Sequence, residues 1–552
     1  MFGCGQAVRR RSLEPLFLGS NPSTRANYYA IPISVYISVI NPELAIYHGL
    51  VDYIARSFLT IAGKQKRFVH PVMNTYATVV LAAGKGTRMR STLPKVLHPL
   101  AGMPLLGHVL NAVEAIPSSD PLASYVATTT IHRPVVVLGY EAVHVEAVFG
   151  QRCLYALQEE QLGTGHAVLA ARPVIDELDP LPQTILVCYG DTPLISSETL
   201  ARVLVEHLAH KATITFLTAH TEAPSDYGRV VRNADGRVQA IIEVKRATEE
   251  QKRISEVNSG VYCFDRAWLW AALDALPRNP AGEYYLTDLI GIASSQGRVI
   301  ATVTGTLEET IGINDRVQLA AAEQLLRRRI LEQHMYAGVT IIDPSTTYID
   351  AGVAIGTDTV ILPGTMITGK TCIGSDCRIG PGTTIDQSAI GDRCVIRNSA
   401  LEETTLEEGV SIGPFSHCRP GAHLARDVRM GNFAEVKNSY IGAETDMHHF
   451  SYLGDATVGE HVNIGAGTVT VNYDGIRKLR TTIGDGAFIG SDTMLVAPIA
   501  VGEHAQTGAG SVVRHDVPPG AVVVGVPARI LRMRMPQPQP DEGPTTEGSE
   551  KV

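Results

Sequence analysis

The sequence predicts two architectures in series: an α/β, Rossmann-like sheet domain and, behind it, a parallel β-helix of hexapeptide repeats. Three observations carry that expectation. Isoleucine recurs at every sixth position from Ile349 to Ile385. A short β-branched run, Thr78–Leu81, feeds the glycine-bearing turn Ala82–Arg88. Apolar runs such as Val135–Leu138 and Ile185–Cys188 then alternate with helix-forming stretches. That alternation is the pattern of a mostly parallel sheet that binds ligand at its strand carboxyl ends.

At roughly 150 residues per domain, 552 residues leave room for several domains. A formal net charge of −9 argues against the basic face that a nucleic-acid binder presents. With 45% hydrophobic residues there is ample core material, and 19% charged residues exclude wholesale disorder. The eight cysteines form neither a CxxC pair nor a zinc-spaced Cys/His cluster, so they read as reduced thiols of a cytoplasmic protein. The best candidate for a membrane span, Ile31–Ile40, is about half the required length. Arg9–Arg11 has no long apolar run behind it, so no signal peptide and no membrane association are expected. Residues 1–74 carry no motif or period and stand apart as an extension of unknown role. Residues 531–552, rich in Pro, Glu and polar side chains, read as a disordered tail.

The six-residue row continues after one slip through Ile390 and Ile396. It returns at Val458 and Ile464, and again at Ile483, Ile489, Leu495, Val501, Thr507 and Val513. This period fits neither a helix nor a hairpin sheet. Its physical solution is a triangular prism: three hexapeptides make one coil, the aliphatic residue points inward, and Gly or small polar residues turn the corners. With strands stacked about 4.8 Å apart, residues 345–528 could form about ten coils. One interruption, 466–480, must leave the prism, and substrate contacts are expected at such an excursion. The pattern resembles the hexapeptide-repeat acyltransferases. The resemblance, rather than the period, implies a left-handed coil, a homotrimer, and acyl-CoA lying in the groove between subunits.

The turn at Ala82–Arg88 is of the kind that cradles phosphate on backbone N–H groups. It is not GxGxxG, because Met89 replaces the third Gly, and it is not GxxxxGK[ST]. With Leu93-Pro94-Lys95 close behind, LAAGKGTRM resembles the fingerprint of the sugar-nucleotide pyrophosphorylases, whose fold is the nucleotide-diphospho-sugar transferase domain. The resemblance implies that Arg88 and Lys95 act on the triphosphate and that Leu81, Ala82, Ala83 and Gly84 close on the nucleotide. It continues in order along the chain. Gln158, Gly163 and Thr164 match the uracil loop, and Tyr189-Gly190-Asp191 places a magnesium ligand, Asp191, at a strand end. Gly228, Glu243 and Asn258 match segments around the sugar, Gly282–Asp288 a further family segment, and Asn314 the second magnesium ligand. Singly each has an ordinary reading: a Lys after Pro is a solvated charge, an Asp at a strand end a turn residue, and Gly163-Thr164-Gly165 a helix start. Their shared order makes coincidence the weaker explanation.

The prism carries its own motifs: Arg419-Pro420-Gly421, Glu435-Val436-Lys437, His449-Phe450-Ser451-Tyr452-Leu453-Gly454-Asp455, Asn463–Gly467 and Asn472–Gly475. Residues 76–527 as a whole resemble the bifunctional N-acetylglucosamine-1-phosphate uridylyltransferase/glucosamine-1-phosphate acetyltransferase family of bacterial cell-wall synthesis. The resemblance implies acetyl transfer from acetyl-CoA to glucosamine 1-phosphate. Uridylyl transfer from UTP to N-acetylglucosamine 1-phosphate then follows, with Mg²⁺. Here His449 would be the base that frees the amine, an imidazole being suited to neutral pH. Arg419, Lys437, Tyr452 and Asn463 would hold glucosamine 1-phosphate; Ala466, Asn472, Tyr473, Ser491 and Ala509 would line the acetyl-CoA site. A lone His is more often structural, and only the register H-x-x-Y-x-G-D selects His449 over His448. Cys418 has no base beside it and reads as a packing residue.

The expected domains are 75–312 (uridylyltransferase), 313–338 (a linking helix) and 339–530 (the β-helix). The helix is read from dense helix formers with apolar Val317, Leu319, Leu325, Leu326, Ile330 and Leu331. Four departures from the family pattern stand out. Residues 117–133 read as an inserted surface loop. Asp446 occupies a place where the family pattern has Lys. No basic residue precedes Val526-Pro527, which leaves Arg529 as a substitute. The 1–74 extension has no counterpart. The alternative is a sugar-nucleotide pyrophosphorylase with a non-catalytic β-helix, which releases no CoA thiol.

Overall fold

The computed structural model describes residues 75–118, 132–139, 141–222, 227–280 and 282–533. All belong to one compact unit, which begins at Asn74. The readings made for 1–74, for most of the 117–133 insertion and for 534–552 lie outside the described residues.

Nine strands form the first sheet: β1 Tyr76–Leu81, β2 Val135–Leu138, β3 Leu154–Leu157, β4 Thr184–Tyr189, β5 Ile214–His220, β6 Arg229–Arg232, β7 Val238–Ile242, β8 Glu256–Asp265 and β9 Ile300–Thr304. Their order is β9-β5-β8-β4-β1-β2-β3, with β6 joined to β8 and β7 to β6. Strands β3, β2, β1 and β4 run parallel, while β8 is antiparallel to β4 and β5. Both faces are covered. Ala77, Val79 and Leu81 of β1 enter one core and Tyr76 and Val80 the other, which is why the strand reads as a continuous apolar run. Leu81 of β1 pairs with Tyr189 of β4, and Gly190 N–H donates to the Leu81 carbonyl at 2.9 Å. The turn after β1 and the Asp191 segment therefore leave the sheet side by side.

The linking helix runs Arg316–Tyr336, capped by Asp315, whose carboxylate accepts from Gln318 N–H at 2.8 Å. Leu319, Ala322 and Leu325 pack with Leu100, Leu105, Leu194 and Ile313, whereas Ile330 and Leu331 join the prism core. Val317 departs from the expected apolar face and is 80% exposed. It precedes Leu319 by two residues and so points about 200° away around the helix. A short hairpin, Pro99–Leu100 with Met103–Pro104, ties sheet domain to prism. Ala101 N–H donates to Glu323 at 2.8 Å, and Ala351 N–H to the Ala101 carbonyl at 3.0 Å.

The C-terminal part is a parallel β-helix whose three faces are sheets of twelve, ten and nine strands. Ile349 stacks on Ile367 and Ile367 on Ile385, inside the prism. The expected lapse between Ile396 and Val458 does not occur. Leu401, Leu406, Ile412, Cys418, Leu424, Met430, Val436, Ile441, Met447 and Leu453 continue the inward row, none more than 2% exposed. Cysteine and methionine fill the positions that isoleucine fills earlier, and corners that lose a residue shorten the step to five at Leu401, Leu406 and Ile441. Cys418 is thus a packing residue, and burial pushes its thiol up to about 12. The excursion is also narrower than expected. Val469–Val471 still pairs with Met494–Val496, and Thr481–Ile483 resumes the third sheet, so the loop spans only 472–480. The last strand, Arg529–Met533, lies antiparallel on Ala521–Val524 and carries ordered chain past the expected boundary at 530.

Leu401→Ala should lower the unfolding free energy by about 2–5 kcal/mol, because it empties the closed prism. Val317→Ala should change it by no more than about 0.5 kcal/mol. Denaturant titration of the two variants compares an inward with an outward position.

Candidate active sites

The first site lies at the carboxyl ends of β1 and β4, as expected for an open α/β sheet. A cavity of about 320 Å³ is lined by Leu81, Ala82, Ala83, Gly84, Lys95, Gln158, Gly163, Thr164, Tyr189 and Asp191, among others. A second, of about 790 Å³, shares Thr164, Tyr189 and Asp191 and adds Arg88, Gly228, Glu243, Asn258 and Asn314. One expected residue stays out of both: Gly190 is a packing glycine, whose Cβ would lie 3.2 Å from Leu106 and 3.3 Å from Ala82.

Backbone requirements explain the loop that carries Gln158, Gly163 and Thr164. Gly163 has φ +97°, and a Cβ there would stand 2.7 Å from the Tyr284 carbonyl, so no other residue fits without moving 282–286. Tyr284 N–H donates to the Leu162 carbonyl at 2.7 Å, and Leu286 N–H donates to the Thr164 hydroxyl at 3.0 Å. Gln158, 4% exposed, donates its amide to the Gly163 carbonyl at 3.1 Å.

Three distant segments converge at the centre. The Lys95 ammonium contacts the Asp191 carboxylate and donates to Asn314 Oδ1 at 3.2 Å. Ile313 N–H donates to the Asp191 carbonyl at 2.9 Å and holds the Asn314 segment beside β4. Arg88 faces the same cavity. In the larger cavity, burial raises the Glu243 carboxyl above the usual range, although the Thr287 hydroxyl donates to it at 3.1 Å. Asn258 donates to the Tyr262 hydroxyl at 2.7 Å and accepts from Gly260 N–H at 3.2 Å.

The second site lies on the prism. Arg419, Lys437 and Tyr452 share the second sheet: Glu435 pairs with Tyr452, Lys437 with Gly454, and Arg419 N–H donates to the Val436 carbonyl at 2.8 Å. Arg419 is ion-paired with Glu435 at 2.8 Å. Asn463 is not beside them; its strand belongs to the twelve-stranded face of the prism, next to Asp446. His449, Ala466, Ser491 and Ala509 stand at one corner of successive coils. The corner is knit by Gly467 N–H to Phe450, Asp492 N–H to Ala466 and Gly510 N–H to Ser491, at 2.7, 2.6 and 2.8 Å. At about 4.8 Å per coil this row is about 14 Å long. Asn472 and Tyr473 lie beyond the opposite end of the second sheet's strands, in the excursion. Asn472, 5% exposed, donates to Asp455 at 2.6 Å, which also accepts from Asn438 at 2.6 Å.

The two histidines differ physically. His448 lies 3.5 Å from Asp446, which is itself held by Arg429 at 2.6 Å. His449 is exposed and has no hydrogen-bond partner among the described residues. The Asp446 departure is thus matched by an Arg one coil earlier in the same column. Their turn rests on Gly431, where a Cβ would meet the His448 carbonyl at 1.8 Å. Gly431→Ala should displace the turn that carries both histidines by about 1 Å, which a crystal structure of the variant would show.

The nucleotidyl transferase family model matches residues 77–308. Bifunctional protein GlmU of Heliobacterium modesticaldum is 48% identical over 454 residues, covering 82% of this chain and 96% of that protein. Bifunctional protein GlmU of Geobacillus thermodenitrificans is 48% identical over 449 residues, covering 81% of this chain and 94% of that protein. The chain belongs to the bifunctional GlmU family. Its nucleotidyl transferase match spans β1 to β9, and the left-handed β-helix of hexapeptide repeats follows. Several residues that face these cavities were not among the expected site residues, Gln161, Glu283 and Thr310 among them. Gln161 donates to the Ala83 carbonyl at 2.5 Å and pins the phosphate turn, while Glu283 and Thr310 line the cavities. Gln161 and Glu283 fall inside the motifs that carried the resemblance, so a signal existed; Thr310 had none.

Proposed function

We propose that the chain makes UDP-N-acetylglucosamine at two separate sites, by acetylating glucosamine 1-phosphate with acetyl-CoA and then joining the product to the uridylyl group of UTP. The convergence of Lys95, Asp191 and Asn314 beside a backbone phosphate turn carries this reading.

The metal fits the residues present. Asp191 and Asn314 already direct two oxygens at one cation, the Lys95 ammonium. Two oxygen ligands suit Mg²⁺, which keeps its other positions for water and phosphate oxygens. The neutral amide of Asn314 adds no second negative charge against a polyanionic substrate. Bound there, Mg²⁺ would supply Lewis-acid neutralisation of phosphate charge. The nucleophile, a sugar phosphate, is already anionic, so the chain supplies no base to it. Its contribution is placement and charge. N–H groups around Gly84 bind phosphate, and Arg88 and Lys95 offset the charge that develops on the departing pyrophosphate. Gln158, Gly163 and Thr164 hold the uracil; Gly228, Glu243 and Asn258 hold the sugar.

At the prism corner His449 removes a proton from the substrate ammonium. The freed amine attacks the thioester carbonyl carbon; as the C–S bond breaks, the nitrogen gives its second proton to the departing sulfur, which leaves as CoA thiol. Arg419 and Lys437 bind the sugar phosphate, with Arg419 exchanging Glu435 for it; Tyr452 orients the sugar, and Asn463 reaches it from a neighbouring copy. Acetyl-CoA runs along Ala466, Ser491 and Ala509, and meets Asn472 and Tyr473. The reading also makes the chain a cytoplasmic homotrimer. Within one chain the Ala466 corner and the Asn472 loop lie at opposite ends of the second sheet's strands, an arrangement that a neighbouring copy completes. Among the described residues no helix is long and apolar enough to cross a membrane.

The test supplies glucosamine 1-phosphate, acetyl-CoA, UTP and Mg²⁺, omitting each in turn. CoA thiol should appear without UTP or Mg²⁺, and pyrophosphate only with both. Pyrophosphate release from UTP on addition of N-acetylglucosamine 1-phosphate, with no CoA release at all, would favour a pyrophosphorylase with a non-catalytic β-helix.

A further inference from the structure

Two arms of chain carry the proposed cation ligands. One runs from Asp191 to Ser196, which caps the helix Ser197–His210 by accepting from Thr199 N–H at 3.2 Å. The other runs from Glu309, in the turn Glu308–Thr310, to Asn314. Two rungs join the arms. Ile313 N–H to the Asp191 carbonyl, at 2.9 Å, is the inner one. The outer rung is the side chain of Glu309.

That carboxylate is only 8% exposed, a costly place for a charge unless its oxygens are bonded. Both are. Oε1 accepts from the Ser196 hydroxyl, the Thr199 hydroxyl is shared between Oε1 and Oε2 at 3.0 Å from each, and the Thr306 hydroxyl donates to Oε2 at 3.3 Å. The carboxylate also sits at the first turn of the Ser197–His210 helix, where the dipole and free N–H groups favour negative charge. Glu309 does not itself line the cavity, but Thr310, Gly312 and Asn314 in the same arm do.

We infer that Glu309 is a positioning residue for uridylyl transfer. By clasping the arm that follows Asp191 to the arm that precedes Asn314, it holds the two oxygens where one cation meets both. The inference rests on the metal-binding reading of Asp191 and Asn314 given above.

The test uses the full chain and Mn²⁺ as the probe, with free Mn²⁺ read by electron paramagnetic resonance at saturating UTP and without sugar phosphate. Glu309→Ala should weaken Mn²⁺ binding about 10–100-fold, the range for residues that orient metal ligands. Glu309→Gln, which keeps the size and one accepting oxygen, should lose less. CoA release by the same preparations should stay within about twofold of wild type, since the prism site is untouched. Asp191→Asn serves as the control. If it binds Mn²⁺ like wild type, the metal-binding reading is wrong and this inference falls with it. If the control loses Mn²⁺ while both Glu309 variants keep wild-type affinity, the reading stands and the positioning role is refuted. Loss of CoA release in parallel with Mn²⁺ binding in both variants would make Glu309 a general stability residue and would equally refute it.

Discussion

His449→Ala is expected to cut CoA release by about 10²–10⁴-fold, the range for removing a general base, and to leave pyrophosphate release unchanged. The reason lies in the substrate. An amine bound as ammonium has no lone pair to offer, and among the residues on this corner the imidazole is the group suited to take its proton near neutral pH. The side chain is exposed and free of hydrogen bonds among the described residues, so its loss leaves no buried partner unsatisfied and the prism should remain folded. His448→Ala makes the comparison sharper. His448 already lies against Asp446, and its removal should lower acetyl transfer by less than about tenfold. Equal losses in the two variants would contradict the assignment.

Asp191→Ala is expected to have the opposite pattern: pyrophosphate release falls at least about 10²–10³-fold, as when a preorganised charge-stabilising group is lost, while CoA release stays at the wild-type rate. Asp191 is the charged member of the ligand pair, and the Lys95 ammonium rests on it. Its removal frees Lys95 but leaves only the Asn314 amide for a cation. Raising Mg²⁺ should therefore recover little of the activity. Full recovery at high Mg²⁺ would show that the carboxylate tunes affinity alone and takes no part in stabilising the reacting phosphates.

Which features could be read from the sequence follows from what each depends on. The inward row from Ile349 to Ile385 was legible because one residue type repeats at a fixed step. The stretch from Leu401 to Leu453 was not, since Cys418, Met430 and Met447 hide the same inward position and shortened corners shift the step. Val317 looked like part of an apolar face because composition does not show angle. At the first site, order along the chain was enough to collect Lys95, Asp191 and Asn314, but their convergence on one ammonium depends on how β1 and β4 lie side by side. Glu309 carried no motif at all. Its partners Ser196 and Thr199 are remote in sequence, and only the fold brings the three together. On the prism, sequence register selected His449 over His448; in the structure His448 lies against Asp446 and His449 stands free of hydrogen bonds among the described residues, a difference that the two alanine variants put to the test.

The central claim is that the two reactions belong to independent sites on one chain. It is tested most directly by mixing His449→Ala and Asp191→Ala proteins and following UDP-N-acetylglucosamine formed from glucosamine 1-phosphate, acetyl-CoA and UTP. Each variant alone should run the overall reaction at least about 100-fold more slowly than wild type. The mixture should regain activity, because the acetylated intermediate made by one protein can diffuse to the other. A mixture as slow as its components, although each retains its own half-reaction, would contradict the claim.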